Sequence, residues 1–165
     1  MTKVYDDLMA AFAGESQANR KYLAFAKKAD VDGFPQVARL FRAAAAAETV
    51  HALTHFRTAD EVKTTEENLK AAIEGESYEN TVMYPGFIED AKAEANPKAE
   101  RSFNWANEAE KVHEMLYREA LATLGKPGEE YDYYVCPVCG YTHKRSAPDK
   151  CPVCGTLGSK FEVVK

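Results

Sequence analysis

The sequence predicts a mainly α protein: a four-helix bundle followed by a small metal-binding domain. Three observations predict it. Residues 1–125 are rich in Ala, Glu, Lys and Leu with only three prolines, whereas 126–165 hold four prolines, four glycines and every cysteine. The break falls at Leu124-Gly125-Lys126-Pro127-Gly128, a Gly-then-Pro helix stop that separates a bundle at 1–125 from a domain at 126–165. The first part also repeats itself. Gly14-Glu15-Ser16-Gln17-Ala18-Asn19 resembles Gly75-Glu76-Ser77-Tyr78-Glu79-Asn80, and Ala47-Glu48-Thr49-Val50-His51 resembles Ala109-Glu110-Lys111-Val112-His113, at offsets of 61 and 62 residues. Two copies are too few for a solenoid, so two related helix hairpins with a pseudo-two-fold axis are expected.

Each element has its own signal. The first helix is expected from Val4 to Ala29, with Leu8, Phe12, Tyr22 and Phe25 among its apolar positions, until Asp32-Gly33 breaks it. The second opens at Pro35, well placed in a first turn, and runs to about Ala59. Thr64-x-x-Glu67 reads as a capping box for the third, expected to run to about Ala95. Pro85-Gly86 inside it predicts a kink, or else two short helices with a break. Asn96-Pro97 reads as a cap followed by Pro at the first helical position, opening a fourth helix to about Leu124.

Composition excludes several classes. The chain has 21 Lys+Arg against 26 Asp+Glu, a formal charge of −5, which disfavours nucleic-acid binding. No apolar run approaches the roughly 18 residues that span a bilayer. The start, MTKVYDDLMAAFAGES, lacks the basic region and long apolar stretch of a signal peptide. A soluble, cytoplasmic protein is expected. In such a chain the pairs Cys136-x-x-Cys139 and Cys151-x-x-Cys154 read as a metal site before disulfides.

The repeats carry chemistry of their own: Glu15, Glu48-x-x-His51, Glu76 and Glu110-x-x-His113. Residues three apart share a helix face, so each Glu-His pair can grip one metal, or a metal and its neighbour. One Glu from each of two helices plus one Glu-x-x-His from each of the other two is the ligand set of ferritin-like di-iron bundles. Four carboxylates offset most of the charge of two ferrous ions, and imidazoles suit iron. Glu79 stands three residues after Glu76, where the first repeat has Ala18, and can supply a seventh ligand. In the tail, Pro after the first Cys and Gly after the second of each pair allow tight knuckles whose N–H groups point at sulfur. Two knuckles give tetrahedral sulfur coordination that suits iron or zinc. Spacing does not separate these metals; iron is preferred because a redox partner domain needs an electron source. Tyr134, Tyr141 and Phe161 are expected to pack around it. His55 and His143 are read as ordinary histidines.

Over nearly its whole length the chain resembles the rubrerythrin family. The residues that carry the resemblance are Phe12-Ala13-Gly14-Glu15-Ser16, Ala47-Glu48-Thr49-Val50-His51, Glu74-Gly75-Glu76-Ser77-Tyr78-Glu79, Met83-Tyr84-Pro85, Glu110-Lys111-Val112-His113, and the two Cys-Pro-Val-Cys-Gly runs. The resemblance implies a ferritin-like bundle with a C-terminal rubredoxin-like domain. It implies a haem-free peroxidase of oxidative stress defence, in which hydrogen peroxide oxidises a diferrous centre and leaves as water. Electrons return through the mononuclear iron of the four-cysteine site from an external donor, such as a rubredoxin or an NAD(P)H-dependent reductase. No nucleotide-binding Gly-rich loop is present in the chain.

By that resemblance, Glu48 and Glu110 bridge the irons, Glu15 is terminal on the first, and Glu76 with His113 completes the second. His51 and Glu79 exchange on the first iron, the neutral ligand for the ferrous state and the anionic one for the ferric. Tyr22 and Tyr84 are expected to hydrogen-bond ligand carboxylates. A homodimer is implied, in which the cysteine site of one subunit approaches the di-iron site of the other; whether subunits also exchange helices stays open. Two other readings compete: a ferroxidase or oxidase using dioxygen, and a non-catalytic iron-binding protein. Glu79 and the cysteine tail favour the peroxidase, because a simple ferroxidase needs neither.

Overall fold

The structure is a computed structural model that describes residues 2–165. It divides into two compact units, one reaching to Lys63 and one spanning Thr64–Lys165.

The first unit is a hairpin of α1 (Lys3–Val31) and α2 (Pro35–Thr58). The Thr2 hydroxyl caps α1 by accepting the Tyr5 N–H at 3.2 Å. The helix ends where Gly33 takes φ +80°, so that Gly33 N–H reaches Asp30 O and Phe34 N–H reaches Ala29 O. That left-handed step costs least at glycine, and Pro35 then opens α2. The seam between the helices is built of small side chains: Ala26, Ala29, Ala38, Ala45 and Ala52 are all buried. Alanine lets backbones approach closely, and here a polar side chain uses the approach. Buried Asn19 donates to the Ala45 carbonyl at 2.7 Å and to the Thr49 hydroxyl at 2.8 Å, tying α1 to α2. Val4, Leu40 and Val50 of the hairpin stay about two-thirds exposed, at 68%, 67% and 64%.

The second unit opens as expected. The Thr64 hydroxyl accepts the Glu67 N–H while the Glu67 carboxylate accepts the Thr64 N–H, so the capping box is complete. It starts α3 (Thr65–Tyr78). The rest of the expected third helix differs. The chain passes through a π-turn at Glu79–Met83 and continues as α4 (Tyr84–Ala93). The expected disturbance at Pro85-Gly86 therefore lies one turn earlier, and the helix neither breaks nor leaves a gap. Proline has no N–H and its ring crowds the preceding turn, so widening that turn relieves both. The helix stops two residues short of the expectation because Ala95 turns left-handed, at φ +50°. Asn96 accepts the Ala99 N–H at 3.2 Å and starts α5 (Pro97–Thr123).

The π-turn locates the change of offset between the repeats. Asn19 matches Asn80 at 61 residues, but Tyr22, Phe25 and Phe41 match Tyr84, Phe87 and Phe103 at 62. One extra residue thus enters between Asn80 and Tyr84, inside Glu79–Met83. The aromatic triads are alike in space as well as in sequence. Tyr22–Phe25, Tyr22–Phe41 and Phe25–Phe41 centroids lie at 6.3, 6.2 and 5.6 Å; Tyr84–Phe87, Tyr84–Phe103 and Phe87–Phe103 lie at 6.2, 6.3 and 5.5 Å.

The tail forms an antiparallel sheet, order β2-β1-β3, from β1 (Tyr133–Val135), β2 (Thr142–Lys144) and β3 (Glu162–Val164). Its core is Cys136, Cys151 and Phe161, with Tyr134 and Tyr141 packed against it as expected. Gly158 is required here: a Cβ would stand 1.8 Å from the Pro148 carbonyl oxygen. Among the described residues, no helix is long and apolar enough to cross a membrane.

Candidate metal centres

Three donor clusters appear among the described residues, and each comes from a sequence spacing. In the first unit, Glu15 on α1 meets Glu48 and His51 on α2, with donor atoms all within 4.8 Å of one another. His51 Nδ1 lies 2.8 Å from a Glu48 oxygen and 3.9 Å from a Glu15 oxygen. In the second unit, Glu76 on α3 meets Glu110 and His113 on α5 in the same way. His113 Nδ1 lies 2.6 Å from Glu110 and 3.7 Å from Glu76. The third cluster is the four cysteines.

The second cluster has the electrostatics of a cation site. Glu76 Oε2 is buried and has no hydrogen-bond partner. Burial, and then the neighbouring Glu110 carboxylate, push the Glu76 carboxyl up to about 7. Burial acts on Glu110 in the same direction, but hydrogen bonds from His113 and Glu76 outweigh it and hold that carboxyl below its usual range. His113 is raised, chiefly by its bond to Glu110. Crowded, partly desolvated carboxylates with an orphaned oxygen are costly alone and are satisfied by a bound cation. The residues present fit iron: carboxylate and imidazole donors in equal sets on both repeats.

Glu79 stands outside the 4.8 Å set of Glu76, Glu110 and His113. It is half-buried at the start of the π-turn, and burial followed by the Glu110 charge raises its carboxyl. Tyr84 feels the same group of charges: burial, then Glu110, Glu79 and Glu76, raise its hydroxyl, but the expected hydrogen bond to a ligand carboxylate is not made among the described residues. Its counterpart Tyr22 packs between Phe25 and Phe41 and makes no hydrogen bond among the described residues. The sequence reading missed Asn80. It donates to Glu76 O at 2.8 Å and to Glu114 at 2.7 Å, fixing the turn that carries Glu76. Its match with Asn19 in the repeat is the signal that finds it.

The cysteines interleave. Cys136 and Cys154 sulfurs lie 3.6 Å apart, and Cys139 and Cys151 sulfurs 3.4 Å. A disulfide needs about 2.05 Å, whereas tetrahedral bonds of about 2.3 Å give sulfur–sulfur edges near 3.8 Å. Each knuckle closes on a glycine with positive φ, Gly140 at +80° and Gly155 at +78°. Backbone N–H groups point at sulfur, from Tyr141 toward Cys139 and from Val153 and Cys154 toward Cys151. Burial would raise Cys154, but the Thr156 hydroxyl, 3.1 Å away, and the Thr156 N–H help bring it down to about 7. Cys154 is thus poised to be thiolate, whereas burial raises the Cys139 and Cys151 thiols, a cost that a bound cation would offset.

The second and third clusters touch within one chain. His113 Nε2 lies 3.2 Å from the carbonyl oxygen of Gly140, the residue after Cys139, and 3.0 Å from the Thr142 hydroxyl.

Helix hairpins bearing paired Glu and Glu-x-x-His ligands, with a four-cysteine module behind them, define a ferritin-like di-iron protein with a rubredoxin-like domain. The chain belongs to the rubrerythrin family: the rubrerythrin family model matches residues 6–121, and that of the rubrerythrin rubredoxin-like domain matches 134–162. It is 35% identical to Rubrerythrin-2 of Clostridium acetobutylicum, over 95% of this chain and 94% of that protein. It is 39% identical to Nigerythrin of Nitratidesulfovibrio vulgaris, over 90% and 80% of the two chains. Among solved structures it is similar to a fully reduced, all-ferrous state of nigerythrin, with TM-score 0.61, 36% identity, and coverage of 99% of this chain and 88% of that one. The family binds iron, and both the Glu/His donors of a di-iron centre and the four cysteines of a rubredoxin-like site are present here.

Proposed function

We propose that this chain is a peroxidase that reduces hydrogen peroxide to water. Two protons and two electrons turn one peroxide into two waters, and a bound diferrous pair supplies both electrons. The triads Glu15–Glu48–His51 and Glu76–Glu110–His113 supply donors for iron, and Cys136, Cys139, Cys151 and Cys154 supply those for a single further iron. One observation carries the reading: the His113 ring spans from the Glu76–Glu110 carboxylates to the Gly140 carbonyl beside Cys139. A simple iron store or ferroxidase has no use for a cysteine module joined to its ligand histidine.

The chain's residues divide the remaining work. His51 serves the reduced state and Glu79 the oxidised one. The pairing rests on charge: a neutral donor suits ferrous iron and an anionic one ferric iron. The Tyr84 hydroxyl, raised by burial and by the charges of Glu110, Glu79 and Glu76, would serve to steady those carboxylates once iron is bound. We further propose that residues 1–125 form the di-iron unit and 126–165 the electron-relay domain. The active species is a homodimer, for which the exposed Val4, Leu40 and Val50 supply apolar surface. A separate rubredoxin or NAD(P)H-dependent reductase delivers the electrons, in the cytoplasm.

The test is rapid mixing of iron-loaded, fully reduced protein with stoichiometric peroxide or with air-saturated buffer, following both centres by absorbance. Reoxidation far faster with peroxide is the expected result. Equal or faster reaction with dioxygen would replace this reading with an oxidase or ferroxidase.

A further inference from the structure

The two ligand histidines are equivalent in the repeat but not in their surroundings. Each presents Nδ1 to its carboxylates. Beyond that they differ. Nothing among the described residues holds Nε2 of His51, and its side chain is 54% exposed. Nε2 of His113 faces two oxygens, the Gly140 carbonyl at 3.2 Å and the Thr142 hydroxyl at 3.0 Å, and the side chain is 26% exposed.

These oxygens decide where the proton of His113 sits. A carbonyl only accepts. The Thr142 hydroxyl has one hydrogen and spends it on the same Gly140 carbonyl, 3.2 Å away, so its lone pair is what faces the ring. Both neighbours of Nε2 therefore accept, and Nε2 must carry the hydrogen. Nδ1 also faces acceptors, and without a metal it donates to Glu110 at 2.6 Å; a cation held by Glu76 and Glu110 would take the place of that Nδ1 hydrogen and leave Nε2 as the one N–H of the ring. A histidine held this way at its far nitrogen is oriented and made more basic as a ligand.

We propose that Thr142 is a positioning residue: with the Gly140 carbonyl it locks His113 as a permanent ligand through Nδ1, while unsupported His51 is the ligand free to leave. This rests on the reading of His113 as a metal ligand. It explains from the chain's own contacts which histidine of a symmetric pair is fixed. The lock sits on β2 of the cysteine module, so docking of that module and the state of His113 are linked.

The test uses the full chain loaded with zinc, which occupies the site without redox change, as wild type, Thr142→Val and Thr142→Ser. Nitrogen-15 imidazole spectra report the tautomer of each histidine, the exchange rate of each Nε2 hydrogen, and the fraction of His113 with metal on Nδ1 against a competing chelator. In wild type, His113 should show a slowly exchanging Nε2 hydrogen, and His51 a rapidly exchanging one. Thr142→Val should speed exchange at His113 and weaken zinc there about 10-fold, the lower end for losing an outer partner because the Gly140 carbonyl remains. His51 should be unchanged, and Thr142→Ser should restore His113. Unchanged His113 behaviour in Thr142→Val, or failure of Ser to rescue, overturns the proposal while leaving His113 a ligand. If His113→Ala binds zinc at the carboxylates as tightly as wild type, the ligand reading itself fails.

Discussion

Glu79 and Ala18 occupy the same place in the two repeats, and the proposed ligand exchange turns on that difference. Replacing Glu79 by Ala should lower peroxide turnover on the order of 100-fold, the upper end of what altering a group around a metal costs. Iron binding, read by chelator competition, should stay within a few-fold; equal loss of both would make Glu79 only a structural ligand. Gly158→Ala tests the tail at the same scale. The opposing atom is a backbone oxygen at 1.8 Å, so the module must open, and metal retention by the cysteines should fall while helical circular dichroism persists. Residue-level chemistry was largely legible in the sequence. Glu48-x-x-His51, Glu110-x-x-His113 and the cysteine pairs lie within one helical turn or one knuckle, so spacing alone brings their donors together. The hold of Thr142 on His113 was not legible, because those residues meet only through the packing of β2 against α5.

Among the elements, the caps were readable and the π-turn was not. Thr64 with Glu67, Asn96 with Pro97, and Gly33 with Pro35 act through neighbours in the chain, and each appears where its sequence places it. Thr64→Ala should cost about 1 kcal/mol and lower Tm by roughly 2–4 °C in a chain of this size, with metal content unchanged. The shift of repeat offset from 61 to 62 is visible in the sequence, but nothing local says where it falls. Pro85 draws attention to its own position, whereas the backbone adjusts in the turn before it. Deleting Val82, 57% exposed within the π-turn, should return the segment to regular helix at little cost in buried surface. Such a closure rotates everything beyond by about 100° relative to Glu79. Tyr84 would swing away from the carboxylates, and peroxide turnover should be lost while helix content, by circular dichroism, holds.

At the scale of the molecule, the two metal systems should be separable apart from the hold of Gly140 and Thr142 on His113. The cysteine module has a core of Cys136, Cys151 and Phe161 with few apolar neighbours, and a domain that small leans on its metal for stability. Cys151→Ser should unfold the module, read as rapid amide exchange in 133–164, and leave the helices intact. Pre-reduced protein should then still consume one portion of peroxide, but steady turnover with an external donor should fall at least 10-fold. The π-turn has a consequence of a different kind. If the matched hairpins descend from one duplicated gene segment, their first product carried two interchangeable halves. One inserted codon, in the stretch now encoding Glu79–Met83, shifts one half out of register with the other, beside the exchange of Ala18 for Glu79. The division of labour between twin hairpins is then written in part in the reading frame as three extra nucleotides, and libraries of codon deletions could run that history backwards.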